Sequence, residues 1–405
     1  ILIEQNKVAI VINDDIANEK RIAFINPEND AVTTHTVWPY NLGNLEFKQK
    51  QGGAFVPHWI CKHPNPNNPT FFVCAIAQKF ATPNNQVYFA HREFDYNGNP
   101  IGLAMLDFIP NSGNTYNWKA TNVSAIIENG KVKFIVAALF GIVATQGNFM
   151  IMKIDPGFII DFQETIATFC NQNRAFVIPS KNLYAAAYSD WPFPMPNVKS
   201  KMFPRGLDNL PLGRIETSLL PPQAAIIDAF PRKSDANIYI LVTTGVVPNI
   251  DIPDETPIHI VVAKADSPNT AMSVVKDVEY LPSLPYVKYS GAFNLDDDTL
   301  IFIVDNNGNF QIEEIDGSTL DVVGSVPFTN QLTTWPVLGL QIKPNTFAAF
   351  SGTDGNFVQM SIYSTKPVEN PKVRYISNVE VIASQDCLPC APMLISTRRK
   401  YDMGV

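Results

Sequence analysis

An all-β chain built from about seven repeated four-stranded units is what this sequence predicts. Three observations lead there. Almost no stretch has helical period. Short runs rich in Val, Ile, Phe, Tyr and Thr recur between clusters of Asn, Asp, Gly and Pro. These runs also group into units of similar length.

The clearest unit lies at 289–325. Tyr289–Asn294 reads as a strand closed by the turn Asp296-Asp297-Asp298, and Thr299–Asp305 as the next strand. Asn306-Asn307-Gly308-Asn309 then turns the chain, because Asn-Gly accepts the positive φ angles of a tight hairpin. Phe310–Asp316 returns with alternating apolar and polar residues, and Thr319–Ser325 follows the Gly317-Ser318 turn. Four antiparallel strands in succession make a meander. The same scheme reads at 337–381, 122–167 and 55–108, and more loosely at 175–221 and 224–280. The N-terminal stretch 7–37 offers three strands only.

Four-stranded units at a period of roughly 40–55 residues resemble the β-propeller superfold over nearly the whole chain. The resemblance implies a single domain, 1–405, of about seven blades. The wording of WD40 repeats, kelch repeats and sialidase Asp-boxes is absent. A pair of β-sandwich domains is the alternative architecture. A ring must tie its ends, since an open edge strand invites aggregation. The orphan apolar stretch 391–396 is expected to supply the missing innermost strand of the first blade, beside Val8–Ile12.

Composition narrows the function classes. The 405 residues are 46% hydrophobic and 17% charged, enough apolar matter for a large core. A formal net charge of -8 argues against nucleic-acid binding, which needs clustered Lys and Arg. The longest basic run, Arg398-Arg399-Lys400, reads as a solvated tail. The longest apolar run, Phe134–Ala144, is too short to span a bilayer and reads as a buried central strand. The chain begins at Ile1 rather than Met, which fits a removed leader or a trimmed chain. Asn122-Val123-Ser124 is a glycosylation sequon.

Several constellations invite chemistry. Asp95-x-Asn97-Gly98-Asn99 and Asp305-x-Asn307-Gly308-Asn309 alternate hard oxygens as the start of a calcium loop does, but the acidic residue that closes such a loop is not clearly placed, and Asn-Gly turns form without metal. Cys387-x-x-Cys390 has redox or zinc spacing; without a following helix or two further ligands it reads as a small disulfide loop or two thiols. Cys61 and Cys74 flank Pro64–Pro69, and counting outward from Asn67-Asn68 pairs them directly, as a disulfide in an oxidising compartment. His35, His58, His63, His91 and His259 form no metal or catalytic spacing, and there is no nucleophile elbow, P-loop or dinucleotide fingerprint. No cofactor is expected.

The most unusual stretch is 189–222, with Trp191, Phe193, Lys201, Phe203 and Arg205 among several prolines. Residues 189–213 are expected to join strands two and three of the fourth blade. The equivalent position in the fifth holds 245–257, with Asp251, Asp254 and Glu255. Loops joining those strands emerge on one face, so the two would build one wall of aromatic and charged residues, suited to a protein, a sibling copy or a sugar. The reading is a secreted or particle-surface protein that binds or assembles without catalysis. A glycan-active hydrolase or lyase on a propeller scaffold is the alternative.

Overall fold

The structure is a computed structural model. It describes residues 2–4, 7–14, 19–26, 29, 31–38, 58–79, 86–110, 117–141, 147–157, 159–178, 182–190, 199–207, 217–220, 224–244, 257–267, 270–281, 288–306, 309–327, 338–352, 358–365, 373–382 and 387–389. Among them there is no α-helix; the secondary structure is antiparallel sheet.

Blade 1 contains β1 (Leu2–Glu4), β2 (Lys7–Asp14), β3 (Glu19–Asn26) and β4 (Ala31–Thr36). Blade 2 contains β5 (His58–Lys62), β6 (Thr70–Lys79), β7 (Gln86–Asp95) and β8 (Pro100–Phe108). Blade 3 contains β9 (Asn117–Glu128), β10 (Lys131–Gly141), β11 (Gly147–Asp155) and the first half of β12 (Ile159–Ile178). Blade 4 takes the second half of β12, then β13 (Leu183–Asp190) and β14 (Lys199–Gly206). Among the described residues, one bridge, Met202↔Thr217, stands in the place of its fourth strand. Blade 5 is β15 (Ile226–Pro231), β16 (Ile238–Thr244), β17 (Ile258–Lys264) and β18 (Ser273–Glu279). Blade 6 is β19 (Lys288–Asn294), β20 (Leu300–Asn306), β21 (Asn309–Ile315) and β22 (Val322–Pro327). Blade 7 is β23 (Leu338–Lys343), β24 (Thr346–Gly352), β25 (Val358–Thr365) and β26 (Val373–Ile382).

The innermost strands neighbour one another in order, from β5 and β9 through β12, β15 and β19 to β23, and β23 in turn meets β1. The chain is a seven-bladed β-propeller. Middle strands are covered on both sides: the apolar run of β10 is buried from Lys133 to Leu139. Outer strands alternate with solvent, as β18 does. Seven apolar clusters fill the ring, and most join side chains of two neighbouring blades.

One joint differs from expectation, and another lies where the chain ends meet. Blades 3 and 4 share β12, which pairs with β11 up to Cys170 and with β13 from Cys170 onward. The chain changes partner there without leaving the extended conformation. At the ends, a short strand β27 (Cys387–Pro389) pairs antiparallel with β2, with Ile12 opposite Pro389 and Asp14 opposite Cys387. β1 holds the other end of the same edge, with Leu2 opposite Val8. The stretch 391–396 and Cys390 lie outside the described residues.

Candidate functional site

The two expected contact loops occupy equivalent places. Residues 191–198 join β13 to β14, and 245–257 join β16 to β17; both are connections between second and third strands. They are the two longest such connections in the ring, and their blades are neighbours. Trp191, Phe193, Asp251, Asp254 and Glu255 lie outside the described residues.

Residues 199–206 of the expected first loop are strand, which corrects the sequence reading there, and 208–213 lie outside the described residues. Lys201, Phe203 and Arg205 belong to β14, opposite Tyr188, Ala186 and Tyr184. Phe203 is fully buried, edge-on to Tyr184 at 6.0 Å between ring centroids. Met202 is buried on the other side, among Leu183, Tyr239 and Leu241. A strand sandwiched between two blades buries consecutive apolar residues, so a Met-Phe pair amid prolines imitates a loop. Phe203 is therefore core. Lys201 is half-buried.

The cysteine pairing is also corrected. Cys61 stands opposite Phe72 and Trp59 opposite Cys74, so the two cysteines are diagonal neighbours, and both thiols are free. The hairpin turns earlier than Asn67-Asn68. Asn65 Oδ1 accepts from Asn67 N at 3.0 Å, Asn68 N donates to Asn65 O at 3.0 Å, and Pro66 fills the second turn position. That shift displaces the register by two residues. Cys61 Sγ instead donates to Val123 O, 3.1 Å away in blade 3.

The register creates a row that spacing alone did not show. Cys74 is directly opposite His91, and His91 Nε2 lies 3.1 Å from Asp107 Oδ2. Such a Cys–His–Asp sequence invites comparison with a nucleophile, a base and its orienting acid. Its surroundings argue otherwise. All three side chains are buried, with the His91 ring 5.0 Å from Phe134 and 5.7 Å from Phe89. Burial pushes the Cys74 thiol well above its ordinary value, and the neighbouring Cys61 adds to this. A protonated thiol closed off from solvent is no nucleophile. Asp107 Oδ1 accepts from Gly157 N of blade 3 at 2.8 Å, so the row ties two blades together. Counting hairpin register outward from 80–85 would have found Cys74 opposite His91; nothing in the sequence points to Gly157.

The calcium-like turn at Asp95 is tied by its own amides. Asp95 Oδ1 accepts from Asn97 N and Asn99 N, each at 2.8 Å, and Oδ2 from Asn99 Nδ2 at 2.9 Å. Slight burial raises the carboxyl pKa, but the bonds from Asn99, Asn97 and Gly98 outweigh it and hold the group below its ordinary value. Gly98 has φ +87°, and a Cβ there would strike the rings of Phe24 and His35 in blade 1. In the second such turn the described pairing runs to Asn306↔Asn309, and Asn307 and Gly308 lie outside the described residues. Among the described residues, no three His, Cys, Asp or Glu side chains converge as metal ligands. The sequon asparagine, Asn122, sits in β9 opposite Ala137, on an innermost strand rather than a surface loop.

Polar side chains of the innermost strands bind their neighbours across two seams. Arg174 Nε donates to Asp228 Oδ1 at 2.7 Å, joining blades 4 and 5, and Trp59 Nε1 donates to Ala120 O at 3.2 Å, joining blades 2 and 3.

No family model and no curated protein matches this chain. Solved structures do. The BP39L lectin from Burkholderia pseudomallei superposes with a TM-score of 0.55 at 11% identity, covering 93% of this chain and 95% of the lectin. A protein from Lactobacillus plantarum gives 0.52 at 8% identity, covering 95% and 99%. Puromycin hydrolase gives 0.50 at 11% identity; the match covers 88% of this chain and half of the hydrolase. At such identities the likeness is one of fold.

Proposed function

We propose that this chain is a non-enzymatic binding or assembly protein acting outside the cell or on a particle surface. It contacts a protein or a glycan with the loop face formed by 191–198 and 245–257. One observation carries the reading: the two longest connections between second and third strands fall in adjacent blades. One brings Trp191 and Phe193, the other Asp251, Asp254 and Glu255. Aromatic residues set beside carboxylates suit a sugar, whose apolar ring face stacks and whose hydroxyls donate, and equally the centre of a protein contact. That a similar fold serves a lectin is compatible with the glycan half of this reading.

The test is an oligosaccharide array probed with the full chain and with a Trp191→Ala, Phe193→Ala double variant. Retention of a glycan by the full chain, weakened about tenfold or more in the variant at an unchanged melting temperature, supports the loop face. Equal retention by both proteins removes it. Cleavage of the retained sugar would move the protein to the hydrolase or lyase reading.

A further inference from the structure

The dipeptide Asn-Gly occurs at 97–98, 129–130 and 307–308. An asparagine followed by glycine is open to attack by the next backbone nitrogen, because glycine has no Cβ to hinder the approach. The third pair lies outside the described residues. The other two are held very differently.

Asn97-Gly98 is locked. Asn97 N donates to Asp95 Oδ1 at 2.8 Å, and Gly98 N to Asp95 O at 3.0 Å. Gly98 is buried, and a Cβ on it would lie 2.5 Å from the Phe24 ring and 2.7 Å from the His35 ring. The nitrogen that would attack is tied, and its backbone has no room to turn.

Asn129-Gly130 is open. These two residues make the whole turn between β9 and β10, closed by the pair Glu128↔Lys131. Both are exposed, and nothing lies within 4 Å of where a Cβ on Gly130 would be. Asn129 has φ +52° and Gly130 +74°, the paired positive angles of a type I′ hairpin. Such a turn bonds its flanking residues and leaves its second central N–H unused. Gly130 N has no acceptor among the described residues. The left-handed conformation is itself strained for asparagine, so leaving it costs little.

We propose that Asn129 is a site of spontaneous deamidation in the folded protein, with water as co-reactant, and that the fold shields Asn97 from the same reaction. Gly130 N attacks Asn129 Cγ. The N–Cγ bond forms, the Cγ–Nδ2 bond breaks, and the Gly130 proton leaves with the amide nitrogen as ammonia. Water then opens the cyclic imide at either carbonyl, giving aspartate or isoaspartate. Nothing is oxidised or reduced. Either product sets a new carboxylate beside Glu128, which already draws on Lys133 and Lys153. Isoaspartate also carries an extra carbon into the main chain, which a two-residue turn cannot hold without shifting Glu128↔Lys131. The end of β9 therefore loosens as the protein ages. The turn joins first and second strands, so it lies at the other end of the blades from the loop face, and the two stand or fall separately.

Peptide mapping by mass spectrometry tests it, on the full chain held in mildly alkaline buffer over a time course. Conversion of amide to acid is followed at Asn97 and Asn129 in native buffer and in guanidinium chloride. In denaturant both positions should convert at comparable rates. In the native protein Asn129 should convert about tenfold or more faster than Asn97. Isoaspartate should be among the products. A native Asn129 that converts no faster than Asn97 overturns the proposal, as does one that stays amide while the denatured chain converts. A difference that persists unchanged in denaturant would belong to the sequence rather than the fold, and also overturns it. Aspartate without isoaspartate would mean direct hydrolysis and would remove the attack by Gly130.

Discussion

The seam between blades 2 and 3 is held largely by buried side chains, with the Asp107–Gly157 bond at its exposed end. The seam between blades 5 and 6 leans partly on a charged clamp near the surface. In the first, Trp59, Cys61 and Gln78 of blade 2 donate to the carbonyls of Ala120, Val123 and Trp118 on β9. β9 pairs with a strand on one edge only, so carbonyls on its open edge need donors from elsewhere. Asp107 adds its bond to Gly157 N, and Phe72, Phe89 and Phe134 pack around the row. In the second, Tyr280 donates to the buried Glu313, while Asp298 grips the turn after β15. Asp298 Oδ1 accepts from Lys233 N at 2.8 Å and Ser234 N at 3.1 Å, and its other oxygen from Ser234 Oγ. Both seams use a carboxylate to receive backbone amide groups of a neighbouring blade. They differ in how deeply the carboxylate and its side-chain partner are buried.

Asp107→Ala should therefore produce the largest effect. It leaves the buried His91 ring without its carboxylate partner, at a cost of about 2–3 kcal/mol, while Gly157 N–H, at an exposed residue, can turn to water. Chemical denaturation measures this directly, and hydrogen exchange at Gly157 should speed up with it. A loss below about 1 kcal/mol would mean that water enters the seam and that the contrast with blades 5 and 6 is false.

Asp298→Ala should cost less, about 1–2 kcal/mol, because the freed amides of Lys233 and Ser234 can turn to water. Part of that cost is not the clamp. Asp298 sits at φ +67°, which alanine tolerates poorly. Asp298→Gly removes the same carboxylate without that strain and should recover about 1 kcal/mol of the alanine loss. Equal losses for the two substitutions would assign the whole effect to the clamp. A loss as large as that of Asp107→Ala would erase the distinction between the seams.

Much of the ring was legible because each blade repeats local rules. The Asn-Gly turn after Asn306 and the alternation of 310–316 set a hairpin without reference to the rest of the chain. Where two local readings competed, the count slipped. Asn65-Pro66 and Asn67-Asn68 both suit a turn, and the choice between them moved Cys74 from opposite Cys61 to opposite Trp59. The polar run Cys170–Arg174 looks like a break, yet β12 passes through it because a new partner strand takes over. Pro204 and its neighbours disguised β14, whose Met202 and Phe203 are buried by blades on either side. The Asp107–Gly157 contact spans fifty residues and depends on how two blades pack, information that no local pattern contains.

The smallest effect should come from a charge cluster confined to one blade, which makes it a control for both seams. Glu128 closes β9, with Oε2 2.8 Å from Lys133 Nζ and Oε1 2.6 Å from Lys153 Nζ. Partial burial raises its carboxyl pKa, but the two ammonium groups outweigh burial and hold it below the ordinary glutamate value. A carboxylate depressed in the folded state stabilises the fold above its unfolded pKa, and that contribution is lost as pH falls through the folded pKa. Glu128→Gln should thus cost about 0.5–1 kcal/mol at neutral pH. Its stability should decline less steeply than that of the parent once the pH drops below about 4.3, the unfolded glutamate pKa. Urea midpoints for both proteins on either side of that value measure the difference. The cluster ties β9, β10 and β11 of a single sheet, so exchange at Gly157 should stay as slow as in the parent. Faster exchange there, comparable to that in Asp107→Ala, would show that any weakening of blade 3 opens its seam with blade 2, and that Asp107 holds no special place in it.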